Sequence, residues 1–122
     1  MAERSPNQPC RILVVDDEPV VRDVIRNVLE RPGLFLVDAA DGEQAIELLL
    51  KEPFDILIVD KNLPGITGLD VIRRAKAADP TIATLLITAY ASRESVEEAM
   101  AIGVDDYLIK PFNITDLVGK VE

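Results

Sequence analysis

Ile12-Leu13-Val14-Val15-Asp16-Asp17 and, further along, Ile56-Leu57-Ile58-Val59-Asp60 are short β-branched runs that each stop on acid. Runs bounded in this way predict buried parallel strands, and in open α/β sheets ligands bind outside the carboxyl ends of such strands. Leu34 to Val37 before Asp38 repeats the pattern, but Asp38 is expected outside the site the other acids form. Two more strand ends follow: Leu85-Leu86-Ile87 stops at Thr88-Ala89, and Tyr107-Leu108-Ile109 stops at Lys110-Pro111. Asp16, Asp17 and Asp60 are thereby grouped with a hydroxyl and an amine. Like charges packed together raise one another's pKa unless a metal or a cationic side chain offsets them. Lys110 supplies one positive charge. A hard dication such as Mg2+ takes oxygen ligands and completes its shell with phosphate oxygens, so a phosphoryl group is the implied guest.

Helical patterns alternate with these runs. Val21, Val24, Ile25, Val28 and Leu29 form one apolar stripe, with Pro19 allowed in the first turn and Pro32-Gly33 as a stop, which predicts a helix over 18–31. Asp41 is a candidate N-cap for a second helix through Lys51, with Ile46, Leu49 and Leu50 expected on its buried side. Thr67 with Asp70 reads as a capping box for a third helix through Ala78, turning Val71, Ile72 and Ala75 inward. Ser92 is expected to open a fourth helix closed by Gly103; Val96, Ala99 and Met100 give it little apolar surface, so it is a candidate moving element. Asn113 starts a fifth. Five strands alternating with five helices predict a doubly wound α/β fold with a five-stranded parallel sheet and helices on both faces.

The 122 residues suffice for one domain with a single sizeable core, preceded by a polar extension over 1–10. A net charge of −9 argues against direct nucleic-acid binding, which needs a basic footprint. No run approaches the ~20 apolar residues of a membrane span, and the opening segment lacks the apolar core of a signal peptide, so a cytoplasmic protein is expected. Cys10 is the single cysteine, which excludes an internal disulfide, and it reads as a small residue at a strand entrance. The absence of histidine excludes serine-histidine hydrolysis and zinc-histidine sites, and excludes this chain as a phosphohistidine donor. No P-loop with its lysine is present, which disfavours an NTPase.

Asp16-Asp17, Asp60 followed by Leu63-Pro64-Gly65 and Gly68, Thr88-Ala89 and Lys110-Pro111 together resemble the receiver domain of two-component response regulators, over 11–122. The resemblance implies a flavodoxin-like strand order 2-1-3-4-5, with strands one and three adjacent. It implies that Asp60 accepts phosphate, and that Asp17, Asp60 and the backbone carbonyl of Asn62 bind Mg2+ (or Mn2+), Asp16 acting through the metal's water shell. Thr88 and Lys110 would hold the phosphoryl oxygens, small Ala89 would leave backbone room, and Tyr107 would change rotamer with Thr88. The Lys110–Pro111 peptide is expected cis. The implied partners are a sensor histidine kinase or phosphotransfer protein, a second copy in a homodimer, and an output domain beyond residue 122. The implied output surface is helix four, strand five and helix five. The short last helix is expected to be the cut edge of a longer regulator, with a compact stand-alone protein as the alternative.

The chain departs from the family pattern at Lys61, which is expected to point away from the pocket. Other readings are an inert docking module, and an aspartyl-phosphate phosphotransferase or phosphatase. The second would need an acid where Asn62 stands, two residues after Asp60.

Overall fold

A computed structural model describes residues 9–30, 32–89, 93–110 and 112–121. Strands and helices alternate strictly: β1 (Cys10–Val15), α1 (Pro19–Leu29), β2 (Leu34–Ala39), α2 (Gly42–Lys51), β3 (Ile56–Asp60), α3 (Gly68–Ala78), β4 (Ala83–Thr88), α4 (Arg93–Ala101), β5 (Asp106–Ile109) and α5 (Ile114–Val121). The sheet is parallel throughout, in the order β2-β1-β3-β4-β5. This is the flavodoxin-like architecture expected.

The strands read as continuous apolar runs because both faces are covered. Successive side chains alternate between faces, so Leu13, Val15, Leu57 and Val59 join a core completed by α2, α3 and α4 residues such as Ala45, Val71, Ile72 and Ala99. Ile12, Val14 and Ile58 point the other way, onto Ile25 and Leu29 of α1 and Leu117 of α5. Parallel pairing sets Val15 beside Val59, Asp60 beside Ile87 and Thr88 beside Ile109, so the strands deliver their last residues to one rim.

The expected caps form at three helices. Asp41 accepts from the Gln44 N–H at 2.8 Å, while Gln44 Oε1 accepts in return from the Ala40 N–H at 3.0 Å. Thr67 accepts from the Asp70 N–H at 3.3 Å and Asn113 from the Asp116 N–H at 2.7 Å. Gly103, at φ +88°, ends α4: the Val104 N–H bonds to the Ala99 carbonyl and the Gly103 N–H to that of Met100. Ser92 lies outside the described residues.

Several boundaries differ from expectation. β1 starts at Cys10, whose N–H bonds to the Gly33 carbonyl at 2.8 Å, so the strand takes in the last residue assigned to the polar extension. α1 ends at Leu29, where Glu30 turns extended; Arg31 lies outside the described residues. β2 runs through Asp38, in register with Val14, and not merely up to it. Leu50 is 75% exposed: the inward stripe of α2 is Ala45, Leu48 and Leu49, and Leu50 falls off that face.

One helix start sets the position of the β3 end. The N–H of Gly68 bonds to the Lys61 carbonyl at 3.0 Å, which brings the first residue of α3 against the backbone of Asp60. A Cβ on Gly68 would overlap the Asp60 carbonyl and lie 2.9 Å from Lys61 Cα, both main-chain atoms that cannot rotate away. Gly68→Ala is therefore expected to destabilise the fold by at least about 2 kcal/mol, within the range of overpacked sites; urea unfolding checks this, and an unchanged midpoint would contradict the crowding.

Candidate functional site

The rim of the sheet fixes the site through backbone bonds that continue the ladders just past the strand ends. The Asp16 N–H bonds to the Ala39 carbonyl of β2 at 3.2 Å, the Lys61 N–H to Ile87 of β4 at 2.8 Å, and the Lys110 N–H to Thr88 of β4 at 2.8 Å. Each pins a residue next to a chemically competent group, so three loops of distant sequence acquire a common frame.

Lys110 lies at the centre. Its Nζ donates to Asp60 Oδ2 at 2.6 Å, Asp16 Oδ2 at 3.0 Å and Glu18 Oε1 at 3.3 Å, which uses all three N–H bonds of the ammonium. The other oxygens are held by main chain: Asp60 Oδ1 accepts from the Asn62 N–H at 2.9 Å and Asp16 Oδ1 from the Glu18 N–H at 2.8 Å. Asp16 and Asp60 are buried, whereas Asp17 and Glu18 are exposed. One carboxylate oxygen from each of Asp16, Asp17, Glu18 and Asp60 lies within 4.8 Å of the others.

Burial pushes the Asp16 carboxyl above the usual carboxylate range, and the nearby Asp60 charge adds to this, against the opposing pull of the Glu18 amide and Lys110. Burial also works against the Lys110 charge, but the hydrogen bonds and charges of Asp60 and Asp16 outweigh it and hold the ammonium well above the ordinary lysine range.

The structure thus brings Asp16, Asp17, Asp60 and Lys110 together. Thr88 is buried at the end of β4, one position beyond Ile87, the partner of Asp60. Ala89 follows it and is exposed; Asn62 is also exposed. Tyr107 is half-buried and packs on the core shared by α2, α3 and α4. Asp38 lies outside the cluster, paired with Arg22 at 3.1 Å and Arg26 at 3.4 Å. Pro111, and with it the expected cis peptide, lies outside the described residues.

Glu18 is the member that the sequence reading missed. Its signal was adjacency to Asp16-Asp17, masked because the same residue also suits a helix start; it is the N-cap of α1, extended at φ −94°. Beside Lys110 lies an apolar groove of about 430 Å3 lined by Val20, Val21, Val24, Ala89 and Phe112. Val20 is 71% exposed there.

Residues 12–122 match the model of the response regulator receiver domain, and the chain belongs to that family. Receiver domains are phosphoacceptors of two-component signalling, generally not catalysts, and they bind Mg2+ at an acidic pocket; this chain has an acidic cluster at Asp16, Asp17, Glu18 and Asp60. The chain is 37% identical over 115 residues to chemotaxis protein CheY of Pseudomonas aeruginosa, covering 92% of this chain and 93% of that protein. It is 36% identical over 115 residues to the probable transcriptional regulatory protein TcrX of Mycobacterium tuberculosis, covering 94% of this chain but 49% of the relative, so it spans about half that regulator's length. It also resembles a response regulator from Burkholderia pseudomallei solved with a phosphorylated aspartic acid, a calcium ion and citrate. That match has a TM-score of 0.83 and 30% identity, and covers 92% of this chain and 66% of that one. No helix among the described residues is long and apolar enough to cross a membrane.

The electrostatic balance yields a stability prediction. Because the Asp16 pKa is raised on folding, this group costs stability as pH rises through the carboxylate range, and Lys110 offsets that cost. Without added metal, Lys110→Met is expected to lower stability at neutral pH by about 2 kcal/mol, below the ~3–5 kcal/mol of a fully buried broken pair. The deficit should shrink as pH falls and Asp16 protonates. Unfolding curves at neutral and acidic pH check it; a deficit independent of pH would contradict the assignment.

Proposed function

We propose that this chain accepts a phosphoryl group on Asp60 from the phosphohistidine of a sensor kinase or phosphotransfer protein, with Mg2+ bound. The observation that carries the proposal is the setting of Asp60. One of its oxygens is held by the Asn62 N–H and the other by Lys110, within a group of four carboxylates at the sheet rim. A carboxylate is a competent nucleophile for phosphoryl transfer, which is mainly a matter of positioning and charge neutralisation. One oxygen of Asp60 attacks phosphorus as the donor's P–N bond breaks. Lys110 exchanges its contact with Asp60 for a phosphoryl oxygen, and Thr88 meets another oxygen with Ala89 leaving backbone room.

The donor set fits a hard dication, being all oxygen with neither histidine nor cysteine at the cluster. Asp17, Asp60 and the backbone carbonyl of Asn62 would hold Mg2+ or Mn2+, with Asp16 acting through its water shell. Such an ion supplies neutralisation for the incoming phosphoryl oxygens.

The output is a changed surface over α4, β5 and α5, with Thr88 and Tyr107 shifting together. Only differential affinity of the phosphoryl group for two conformations is needed. The weak anchoring of α4 supports this reading: Ala99 is buried but Met100 is 64% exposed. The apolar groove beside Lys110 suits the donor protein, since it borders the reacting group. A second copy is proposed to dock on the α4–β5–α5 face. A further output domain would act downstream, as the length of TcrX suggests.

Incubation with acetyl phosphate and Mg2+ tests the chemistry without a cognate kinase. Intact mass spectrometry is expected to show gain of one phosphoryl group, lost in Asp60→Asn and on Mg2+ removal. A gain retained in Asp60→Asn would overturn the assignment of the acceptor.

A further inference from the structure

We infer that Arg22 is a positioning residue for the acidic site, holding the turn between β1 and α1 from outside the pocket while Asp38 holds Arg22. The inference rests on the reading of the rim acids as a Mg2+ site. The Arg22 side chain is 16% exposed, and its guanidinium spans two elements: Nη1 donates to the backbone carbonyl of Asp16 at 2.6 Å and Nε to Asp38 Oδ2 at 3.1 Å. One turn along α1, Arg26 Nη1 donates to the Leu36 carbonyl at 3.2 Å and to Asp38 Oδ1 at 3.4 Å. The spacing i, i+4 puts both arginines on one face of α1, so Asp38 is shared between them. This gives the third strand acid a role that its place outside the cluster does not reveal.

The consequence for the site follows from peptide geometry. The Asp16 carbonyl and the Asp17 N–H belong to one planar unit, so fixing that oxygen fixes the plane from which Asp17 departs. The N–H of Asp16 is already bonded to Ala39, and its Oδ1 to the Glu18 N–H. Arg22 supplies the remaining restraint on the carbonyl. Asp17, whose exposed carboxylate has no core packing to orient it, therefore takes its direction from a bond made by Arg22. A planar guanidinium can bond two acceptors in fixed directions, whereas a lysine ammonium on a flexible stem cannot reproduce that fork.

Coulomb's law and positioning predict opposite signs. Removing a cation beside four carboxylates should by charge alone tighten Mg2+ binding; removing the restraint on Asp16 and Asp17 should weaken it. Arg26→Met removes the same charge from the same helix face without touching Asp16, and serves as the control.

The test is calorimetric titration of Mg2+ alone into the full chain at fixed ionic strength, with amide hydrogen exchange measured on the metal-free protein. Arg22→Met is expected to weaken Mg2+ binding about tenfold, the lower end of what outer hydrogen-bond partners of metal ligands carry. Arg22→Lys should recover only part of the loss, and Arg26→Met should bind as well as wild type or better. Exchange at the amides of Asp16, Asp17 and Glu18 should quicken in Arg22→Met, while the β3 amides keep their wild-type protection. Unchanged or tighter Mg2+ binding in Arg22→Met would overturn the inference. Should that variant fail to fold, Arg22→Lys decides, because charge alone predicts no change and positioning predicts a loss. If wild type binds no Mg2+, the metal reading fails and exchange alone decides on Arg22: faster exchange confined to 16–18 sustains it, and unchanged exchange overturns it.

Discussion

One ammonium holds several carboxylates at the carboxyl rim of the sheet, and the rest of the site is arranged around that contact. Asp16 and Asp60 are buried and close in space, and for Asp16 burial and the neighbouring charge favour the protonated form unless a cation intervenes. Lys110 is that cation in the protein itself, with hydrogen bonds to both and to Glu18. The same contacts that stabilise the charges place an amine against the oxygens of Asp60. On the proposed reading stability and function compete for one side chain: a group bound to Asp60 would take over, or share, the contact that Lys110 makes.

The precision of that arrangement comes from the sheet. Side chains at loop tips are ordinarily variable in position, yet here the ladders run on just past the strands, so Asp16, Lys61 and Lys110 keep the spacing of their neighbours. Helix α3 adds a second restraint by setting the backbone of Gly68 against that of Asp60, an approach that only a residue without Cβ permits. Arg22 adds a third, from the face of α1 that looks toward β2. Helix α4 is held more loosely. Among its described side chains Ala99 is buried and Met100 exposed, and an element with so little buried apolar surface belongs to the low-stability end of a fold.

Much of this was legible in the chain. The runs Ile12–Val15 and Ile56–Val59 announce strands covered on both faces because no polar residue interrupts them, and caps such as Asp41, Thr67 and Asn113 are local signals that need no tertiary context. What the sequence conceals is non-local. Asp38 looks like a strand terminator, but β2 continues through it because two arginines of α1 take its charge. Leu48, Leu49 and Leu50 are alike, so composition gives no phase; the packing of α2 against the sheet decides that Leu50 faces out. Glu18 and Arg22 carry side chains ordinary for a helix start and a helix surface, and their roles appear only once β5 and β2 are in place.

The rim acids are proposed to form a single cation site shared with Lys110. Titration of the metal-free chain with Mg2+, followed by heat and repeated with Asp17→Asn, tests this most directly, because Asp17 is exposed and its loss leaves the core untouched. Saturable binding at one site, lost or greatly weakened by Asp17→Asn, is the expected result. Absence of saturable binding, or binding indifferent to Asp17, would contradict it.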